Sequence, residues 1–469
     1  MTTNAVQSHI DAFWDTEILP ALMEYIRIPN ESPLFDPDWS THGHMERAVD
    51  LVVRWIQRHQ PEGTQVTVLR DGERTPVLLV EIPGTLPETV LMYGHLDKQP
   101  PFAGWREGLG PWKPVLDGQG RLFGRGGADD GYAAFAALAA VKALQARGGR
   151  HGRIVLLIEC SEESGSVDLP HYLQAHGDRI GAPGLVICLD SGCGNYEQLW
   201  STTSLRGLVT GTLKVEVLNE AVHSGMAGGI VPTPFQVASA LFRRLENPES
   251  GKVLPRELKA RVPAARMKQV RKAARILSGS IAGDYPWIED VRPLADDPVE
   301  LLLNNTWRAS LAVVGQDGMP DTRQAGNVLL PGLTFKFSLR LPPTVDAKAA
   351  AATVRALLQT DPPFGARVTV TCGGSPGWNA PALAPWLAKA ADGASREFFG
   401  KEACYFGVGG SIPFMHMIGE RWPKAQFLIT GVLGPNSNAH GPNEFLHVPF
   451  ARRLTACLVR VLAAHAQGR

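Results

Sequence analysis

The chain has 469 residues, of which 44% are hydrophobic and 20% are charged. Because this length exceeds what one compact core usually accommodates, we expect two domains. Lys and Arg together number 46, as do Asp and Glu, so the formal net charge is zero, and this balance gives no reason to expect nucleic acid or an anionic membrane as a partner.

The N-terminal segment predicts an amphipathic helix, with Ile10, Phe13 and Leu19 on or near one side. It shows no basic leader, apolar run and small-residue cleavage site, and no stretch reaches the roughly 18–20 apolar residues of a membrane span. The six cysteines are scattered without paired metal spacing, which favours buried, reduced thiols. We therefore expect a cytoplasmic protein.

The first 200 residues alternate helix and strand patterns. Strand patterns occur in TQVTVLR, PVLLVEI, TVLMYG, RIVLLIEC and LVICLD, and an Ala-rich helix is predicted at about 132–147. Continuous apolar runs between helices are typical of buried, mostly parallel strands. The stretch from about 384 to the end has the same character, with a predicted strand in FLIT at 427–430. These segments predict an α/β domain with a mostly parallel sheet flanked by helices.

The middle of the chain has a different pattern. GLVTGTLKVEVLN, LTFKFSLRLP and ARVTVTC alternate apolar and polar residues, as strands with one exposed face do. We therefore predict an inserted α+β domain with an antiparallel sheet at 207–378. The catalytic, metal-binding α/β domain would then consist of 1–206 and 379–469.

Acidic and histidine residues follow four of the predicted strands, and one more acidic residue lies in the loop just before the Ala-rich helix. Open α/β sheets place their active sites at the carboxyl ends of such strands. The residues are His95 and Asp97 after TVLMYG, Glu162 and Glu163 after RIVLLIEC, Asp190 at the end of LVICLD, His440 after FLIT, and Asp129 in GRGGADDG.

Five of these residues are carboxylic acids, and neighbouring segments have no matching cluster of Lys or Arg. Burying even one unpaired carboxylate is strongly unfavourable, whereas two divalent cations would reduce five negative charges to one. Carboxylate and imidazole ligands suit zinc, with manganese or cobalt as alternatives. The sequence therefore predicts two divalent metal ions, and a carboxylate bridging them would let the pair activate a shared water.

The local spacings fit separate roles. In an extended segment residues i and i+2 point the same way, so Asp97 can reach the outer ring nitrogen of His95. Glu162 and Glu163 would diverge at a strand end, so that one binds metal and the other acts as general base. GRGGADDG lacks the Lys-Ser/Thr of a phosphate-binding P-loop.

Five motifs resemble the metal-site motifs of the dinuclear-zinc metallopeptidase family. This family includes acetylornithine deacetylase, succinyl-diaminopimelate desuccinylase, glutamate carboxypeptidase, aminoacylase and carnosinase. The motifs are GHLDKQP, GRGGADD, SEESGS, LDSG and AHGPNE, in family order over nearly the whole chain. The resemblance implies that Asp129 is the bridging ligand. It implies further that His95 and Asp190 complete one metal, and that Glu163 and His440 complete the other.

The same resemblance implies roles for residues that do not bind metal. Glu162 matches the family's general base, and Asp97 matches the acid behind the metal-binding histidine. The peptide bond between Asp129 and Asp130 is expected to be cis.

The inserted domain resembles that of the carnosinase-like dipeptidases. In AVHSGMAGG, His223 matches a histidine that crosses a dimer interface and stabilises the oxyanion in the partner's site. In GNVLLPG, Asn327 matches a residue that contacts the oxyanion or the substrate. In SLRLPP, Arg340 matches the arginine that binds the substrate carboxylate. GGSIP matches a loop whose serine, here Ser411 beside Gly410, contacts that carboxylate. The resemblance thus implies a homodimer formed through this lid domain.

These features predict a hydrolase that cleaves the amide bond of a dipeptide or related small peptide with a free carboxylate, using a water activated by two metal ions and Glu162. N-acyl-amino-acid deacylase and glutamate carboxypeptidase activities are alternatives, and a dinuclear phosphoesterase is less favoured because the lid offers little basic lining. A catalytically silent small-molecule binding protein on this fold would be expected to lose Glu162 or a ligand, and none is missing.

Two departures from the family pattern affect the substrate preference expected from carnosinase and leave the metal ligands unchanged. Gly131-Tyr132 stands where the family usually has Lys-Gly, and Gly407-Val408 stands where the carnosinase-like loop usually has Arg-Glu.

Overall fold

A computed structural model describes residues 3–283 and 285–467. The chain forms two compact units. The first comprises the chain up to Thr203, Ala380–Phe406 and the chain from Ile412 onward, and the second comprises Ser204–Asn379 and Gly407–Ser411.

The helices range from single turns to nineteen residues. Several begin with a proline in the first turn, where its missing N–H leaves no helix hydrogen bond unmade. Among the described residues, no helix has both the length and the apolar character needed to cross a membrane. The helices are α1 Thr3–Phe13, α2 Leu19–Ile26, α3 Trp39–His42, α4 His44–His59, α5 Tyr132–Gln145, α6 Leu169–Ile180, α7 Ser224–Ala227, α8 Pro234–Phe242, α9 Ala264–Leu277, α10 Ser280–Gly283, α11 Pro298–Thr306, α12 Ala347–Gln359, α13 Pro385–Phe399, α14 Pro413–Arg421 and α15 Val448–Ala466.

The longest strands have ten residues and belong to the main sheets of the two units. Some strands of only two residues form local pairs. The strands are β1 Gln65–Leu69, β2 Val77–Ile82, β3 Leu86–His95, β4 Val115–Leu116, β5 Arg121–Phe123, β6 Gly152–Glu159, β7 Pro183–Cys188, β8 Trp200–Leu205, β9 Gly207–Glu216, β10 Val222–His223, β11 Glu246–Asn247, β12 Lys252–Val253, β13 Ser310–Asp317, β14 Val328–Leu329, β15 Gly332–Leu341, β16 Arg367–Ser375, β17 Trp378–Asn379, β18 Cys404–Val408, β19 Gln426–Ile429 and β20 Phe445–His447.

The sheet of the first unit has the strand order β1-β2-β6-β3-β7-β19-β8. Its centre, β6-β3-β7-β19, is parallel, whereas β1, β2 and β8 join it antiparallel. The α/β fold class is therefore confirmed, and the sheet is mixed as a whole. Because the four central strands run the same way, they all end at one edge of the sheet.

Helices cover the central strands, which explains their continuous apolar sequence. The last six residues of β3 and nearly all of β6 are buried. The Ala-rich helix α5 is buried along almost its whole length and contacts β3 and α15. Its small side chains allow this close packing, and each large apolar side chain buried around it contributes about 1.5–3 kcal/mol.

The second unit contains the antiparallel sheet β13-β15-β9-β16. Buried and less buried residues alternate along β15, as the sequence pattern predicts. The buried face carries Phe337 and Leu339, which share a core with Val237 of α8 and Val354 of α12. This confirms the predicted α+β character of the region.

Candidate metal centre

The four parallel strands deliver the predicted site residues to one edge of their sheet. β3 ends at His95, which lies opposite Glu159, the last residue of β6. Asp190 follows the end of β7, and His440 lies in the loop between β19 and β20. Asp129 comes from the loop before α5, where the peptide bond to Asp130 is cis, as expected.

Two groups of side chains form at this edge and share one member. In the first group, Nε2 of His95 lies 3.4 Å from Oδ1 of Asp129 and 4.0 Å from Oδ1 of Asp190. In the second, Nε2 of His440 lies 3.0 Å from Oδ2 of Asp129 and 3.3 Å from Oε2 of Glu163. Within each group, all the potential ligand atoms lie within 4.8 Å of one another. The two oxygens of Asp129 thus face different groups, as a bridging ligand's would.

The hydrogen bonding of these side chains fits metal ligands. Among the described residues, Nε2 of His95, Oδ2 of Asp129 and Oε1 of Glu163 are buried and make no hydrogen bond. Buried polar atoms nearly always have a partner, so three unpartnered atoms at one place indicate a binding site for a further group. Imidazole and carboxylate donors in two groups of three fit a pair of divalent cations.

The electrostatics of the side chains also favour bound cations. Burial raises the pKa of Asp190 to about 6, although the charge of His95 opposes it, and burial followed by the charge of Asp129 raises the pKa of Glu163 to about 8. Burial and then Asp190 raise the pKa of Glu162 well above its usual value. Burial lowers the pKa of His440, but the carboxylates of Asp129 and Glu163 outweigh it and raise the pKa to about 9. The site therefore accumulates negative charge that divalent cations would stabilise.

Asp97 makes more contacts than its sequence position suggests. The ring Nδ1 of His95 is 3.0 Å from the main-chain carbonyl oxygen of Asp97, and the carboxylate is farther away, at 3.4 Å. The two carboxylate oxygens accept hydrogen bonds from the main-chain N–H groups of Glu162 and Glu163, at 3.0 and 2.9 Å. Asp97 thus fixes the backbone of the Glu-Glu pair in addition to contacting His95.

Sequence reasoning missed two neighbours of Asp97, although both lie inside the motif GHLDKQP. Nε2 of Gln99 donates to Oε2 of Glu163 at 2.6 Å, which orients that carboxylate. Lys98 is fully buried, and its Nζ donates to the carbonyl oxygens of Tyr25 and Ile28 at 2.8 and 2.7 Å. A cation suits the carboxyl end of α2, so Lys98 anchors the segment after β3 to that helix.

The departure at Gly131-Tyr132 has a packing explanation. A Cβ atom on Gly131 would lie 2.2 Å from Cε1 of Tyr25, so a larger residue does not fit there. Tyr132 is buried, and its hydroxyl donates to the carbonyl oxygen of Leu189 at 2.6 Å, next to Asp190.

In the second unit, the predicted substrate-contacting residues form two separate pairs. The main-chain N–H of Ser224, directly after His223, donates to the carbonyl oxygen of Asn327 at 2.9 Å. Nη1 of Arg340 lies 3.5 Å from the Ser411 hydroxyl, and no carboxylate of the described residues forms an ion pair with this guanidinium. Gly410 accepts a main-chain hydrogen bond from Arg206.

The segment that carries Ser411 is also shaped by close packing. A Cβ atom on Gly407 would lie 2.7 Å from Oγ of Ser204 and 2.9 Å from Cβ of Thr306, and one on Gly409 would meet Asn305 at 2.9 Å. The side chain that the carnosinase-like loop has at Gly407 would therefore clash with the end of α11.

Comparison with known proteins relates the whole chain to dipeptidases. It is 28% identical over 419 residues to a cysteinylglycine-S-conjugate dipeptidase of Corynebacterium striatum, covering 84% of each chain. It is 27% identical over 474 residues to the Beta-Ala-His dipeptidase of Homo sapiens, covering 94% of this chain and 88% of the relative. The solved structure of the di-peptidase Dug1p from Saccharomyces cerevisiae matches with a TM-score of 0.79 at 21% identity, covering 99% of both chains.

The family is established by a match that spans most of the molecule. Residues 91–464 match the model of peptidase family M20/M25/M40, and this range includes every residue of the two ligand groups. The resemblance seen in the five motifs is thereby confirmed. The chain belongs to peptidase family M20/M25/M40 and is a metal-dependent peptidase.

Proposed function

We propose that this protein is a dipeptidase that hydrolyses the amide bond of a dipeptide or related small peptide with a free carboxylate. The observation that carries the proposal is the placement of Asp129, whose two oxygens each face a complete ligand group. Relatives with which the chain aligns over most of its length are named as dipeptidases. The free cysteines, nearly all of them buried, suit the reducing cytoplasm as its location.

The ligand groups would hold two divalent metal ions, for which zinc is the first candidate and manganese or cobalt the alternatives. His95, Asp129 and Asp190 would hold one ion, and Asp129, Glu163 and His440 the other. Bound there, the ions would polarise the scissile carbonyl and lower the pKa of a water molecule.

Glu162 is the proposed general base. Its main chain is fixed by Asp97, and burial raises the pKa of its carboxyl group well above the usual value, which makes the carboxylate a stronger base. We propose that a Glu162 oxygen takes the proton of the attacking water. As the C–N bond breaks, the same oxygen passes this proton to the nitrogen, which leaves as the amine.

The second unit carries the proposed contacts for the substrate carboxylate. The guanidinium of Arg340 and the hydroxyl of Ser411, which lie 3.5 Å apart, suit the free carboxylate, with Gly410 and Asn327 as further contacts. The Arg340 guanidinium, which has no carboxylate partner within the described part of the chain, is well matched to such a group.

His223 is the proposed oxyanion donor, acting in the site of a partner subunit within a homodimer. Its Nδ1 accepts a hydrogen bond from the main-chain N–H of Gly225 at 3.1 Å. In a neutral imidazole the proton then lies on Nε2, which faces away from that contact. The imidazole is exposed, so Nε2–H is available to a substrate oxygen.

Metal removal tests the proposed function. Dialysis against a chelator is expected to abolish hydrolysis, and zinc, manganese or cobalt should restore it. The restored enzyme should cleave dipeptides such as Cys-Gly and β-Ala-His faster than N-acetyl amino acids, N-succinyl amino acids or aryl-glutamates. Faster cleavage of an acyl or aryl substrate would instead support the deacylase or carboxypeptidase alternative. Full activity without bound metal would refute the proposal.

Mixing two inactive variants tests the dimer and the role of His223. Losing an oxyanion donor is expected to lower kcat of His223→Ala by about 10²- to 10³-fold. Co-expression of His223→Ala with Glu162→Gln should restore about a quarter of wild-type activity, since half of randomly paired dimers would contain one complete site. The oligomeric state should be checked by sedimentation. No recovery in confirmed mixed dimers would exclude action across the interface.

A further inference from the structure

Arg125 and Glu444 form a buried ion pair that the proposed reaction does not use. Their side chains are 1% and 0% exposed. Nη1 of Arg125 donates to Oε2 of Glu444, and Oε1 of Glu444 accepts from the main-chain N–H of Gly126 at 2.9 Å. Because the desolvation of two charges offsets most of their attraction, such a pair contributes little net stability.

The guanidinium of Arg125 joins segments that carry metal-ligand candidates. Nη2 donates to the carbonyl oxygen of Gly441 at 2.8 Å, directly after His440. Nε donates to the carbonyl oxygen of Pro100 at 3.1 Å, in the loop after β3. Arg125 itself lies in the loop that contains Asp129. The planar guanidinium presents its donors in a rigid fork, so its contacts with these segments have fixed directions.

His440 depends on this support more than the other histidine does. Its side chain is 55% exposed, and its Nε2 lies near Asp129 and Glu163, which are themselves candidate ligands. His440 and Asn443 both have left-handed backbones, with φ of 65° and 63°. By contrast, His95 ends a buried strand, and its Nδ1 has a hydrogen-bond partner. The position of the His440 ring therefore follows from its main chain.

The shared ligand Asp129 has supports of its own. Oδ2 of the adjoining Asp130 accepts from the main-chain N–H of His95 at 3.3 Å, and the N–H of Gly131 donates to the carbonyl oxygen of Gly126 at 2.9 Å. Loss of the Arg125 contacts should thus displace His440 more than Asp129.

We propose that Arg125 and Glu444 are a positioning pair that holds His440 at ligand distance. The pair then controls the affinity for the ion bound by Asp129, Glu163 and His440. It leaves the affinity for the ion on the His95 side nearly unchanged. This inference rests on the two-ion site of the proposed function.

Metal titration of Glu444→Gln tests the proposal, with Co²⁺ as the probe of chelator-treated protein and a chromophoric chelator as competitor. One ion should bind about 10- to 100-fold more weakly, as is usual when the support of a ligand is removed, and the other should change by less than about threefold. His440→Ala identifies which ion is affected, since it removes a ligand from one group only. Glu397→Gln is the matched control, because it breaks a different Arg–Glu ion pair, Arg460–Glu397, which joins α15 and α13, and it should keep both affinities.

A second variant covers the case in which an unpaired Arg125 prevents folding. Replacing the pair by Arg125→Met and Glu444→Leu removes both charges together, which buried pairs tolerate well, and the same selective loss is expected. Unchanged or equally weakened binding of both ions in these variants would overturn the inference, provided that His440→Ala loses one ion. If the wild-type protein binds fewer than two Co²⁺ ions, or His440→Ala keeps both, the two-ion proposal itself fails.

Discussion

Glu162→Gln is expected to lower kcat by about 10²- to 10⁴-fold, the usual contribution of a general base, which corresponds to about 3–5 kcal/mol of the activation barrier. The amide keeps the shape of the side chain but cannot accept the proton of water. The main-chain N–H of residue 162 would still donate to Asp97, so the loop should keep its structure. The measurement is steady-state kinetics on a dipeptide together with metal analysis.

The metal content decides how this result is interpreted. Two ions per subunit in the inactive variant would show that the substitution removes proton transfer and leaves metal binding intact. Glu162→Asp, which keeps the carboxylate and shortens its reach, should give an intermediate rate. Glu62→Gln changes an exposed residue outside the ligand segments, and its kcat should equal that of the wild type. Wild-type kcat in Glu162→Gln would remove Glu162 from its proposed role.

Asp129→Ala is expected to abolish binding of both metal ions and to lower activity by at least about 10⁴-fold, since the acceleration supplied by the metal centre would be lost. Its two oxygens face the two ligand groups at 3.4 and 3.0 Å from the histidine nitrogens. A residue that serves both groups should therefore be more sensitive than one that serves a single group. Metal content after exhaustive dialysis, measured by atomic emission, provides the test.

Two further substitutions make this comparison quantitative. Asp190→Ala and His440→Ala each remove a ligand from one group, so each variant should keep one tightly bound ion. Circular dichroism should show that all three variants are folded. Retention of two ions by Asp129→Ala, or loss of both by His440→Ala, would contradict the assignment of Asp129 as the shared ligand.

The positions of the site residues could be predicted because the fold places them by a local rule. His95, Asp190 and the Glu162–Glu163 pair directly follow apolar runs that the sequence identifies as buried strands. Parallel neighbours end at a common edge, so residues distant in sequence come together there. The two groups of three found in the structure contain the five residues predicted as ligands.

The supporting contacts could not be predicted in this way. Asp97 was expected to act on His95 alone, yet its carboxylate also accepts two main-chain hydrogen bonds from the Glu162–Glu163 pair. Arg125 and Glu444 lie inside recognised motifs, but no local pattern relates two positions 319 residues apart. Such contacts depend on the path of loops, whose conformation the period of apolar residues does not encode.

The sequence by itself determined the α/β class, the inserted antiparallel region, the family and the set of metal-binding candidates. The fold class, the inserted region and the candidate ligands follow from the spacing of apolar residues within a segment and from which polar residue comes next, whereas the family follows from the resemblance of the five motifs. The tertiary structure alone decided which oxygen of Asp129 faces which group, that Gly407–Ser411 belongs to the second unit, and that Arg125 and Glu444 form a buried ion pair. These features arise where separate segments pack against each other, and close packing is set by three-dimensional contacts that no single segment contains.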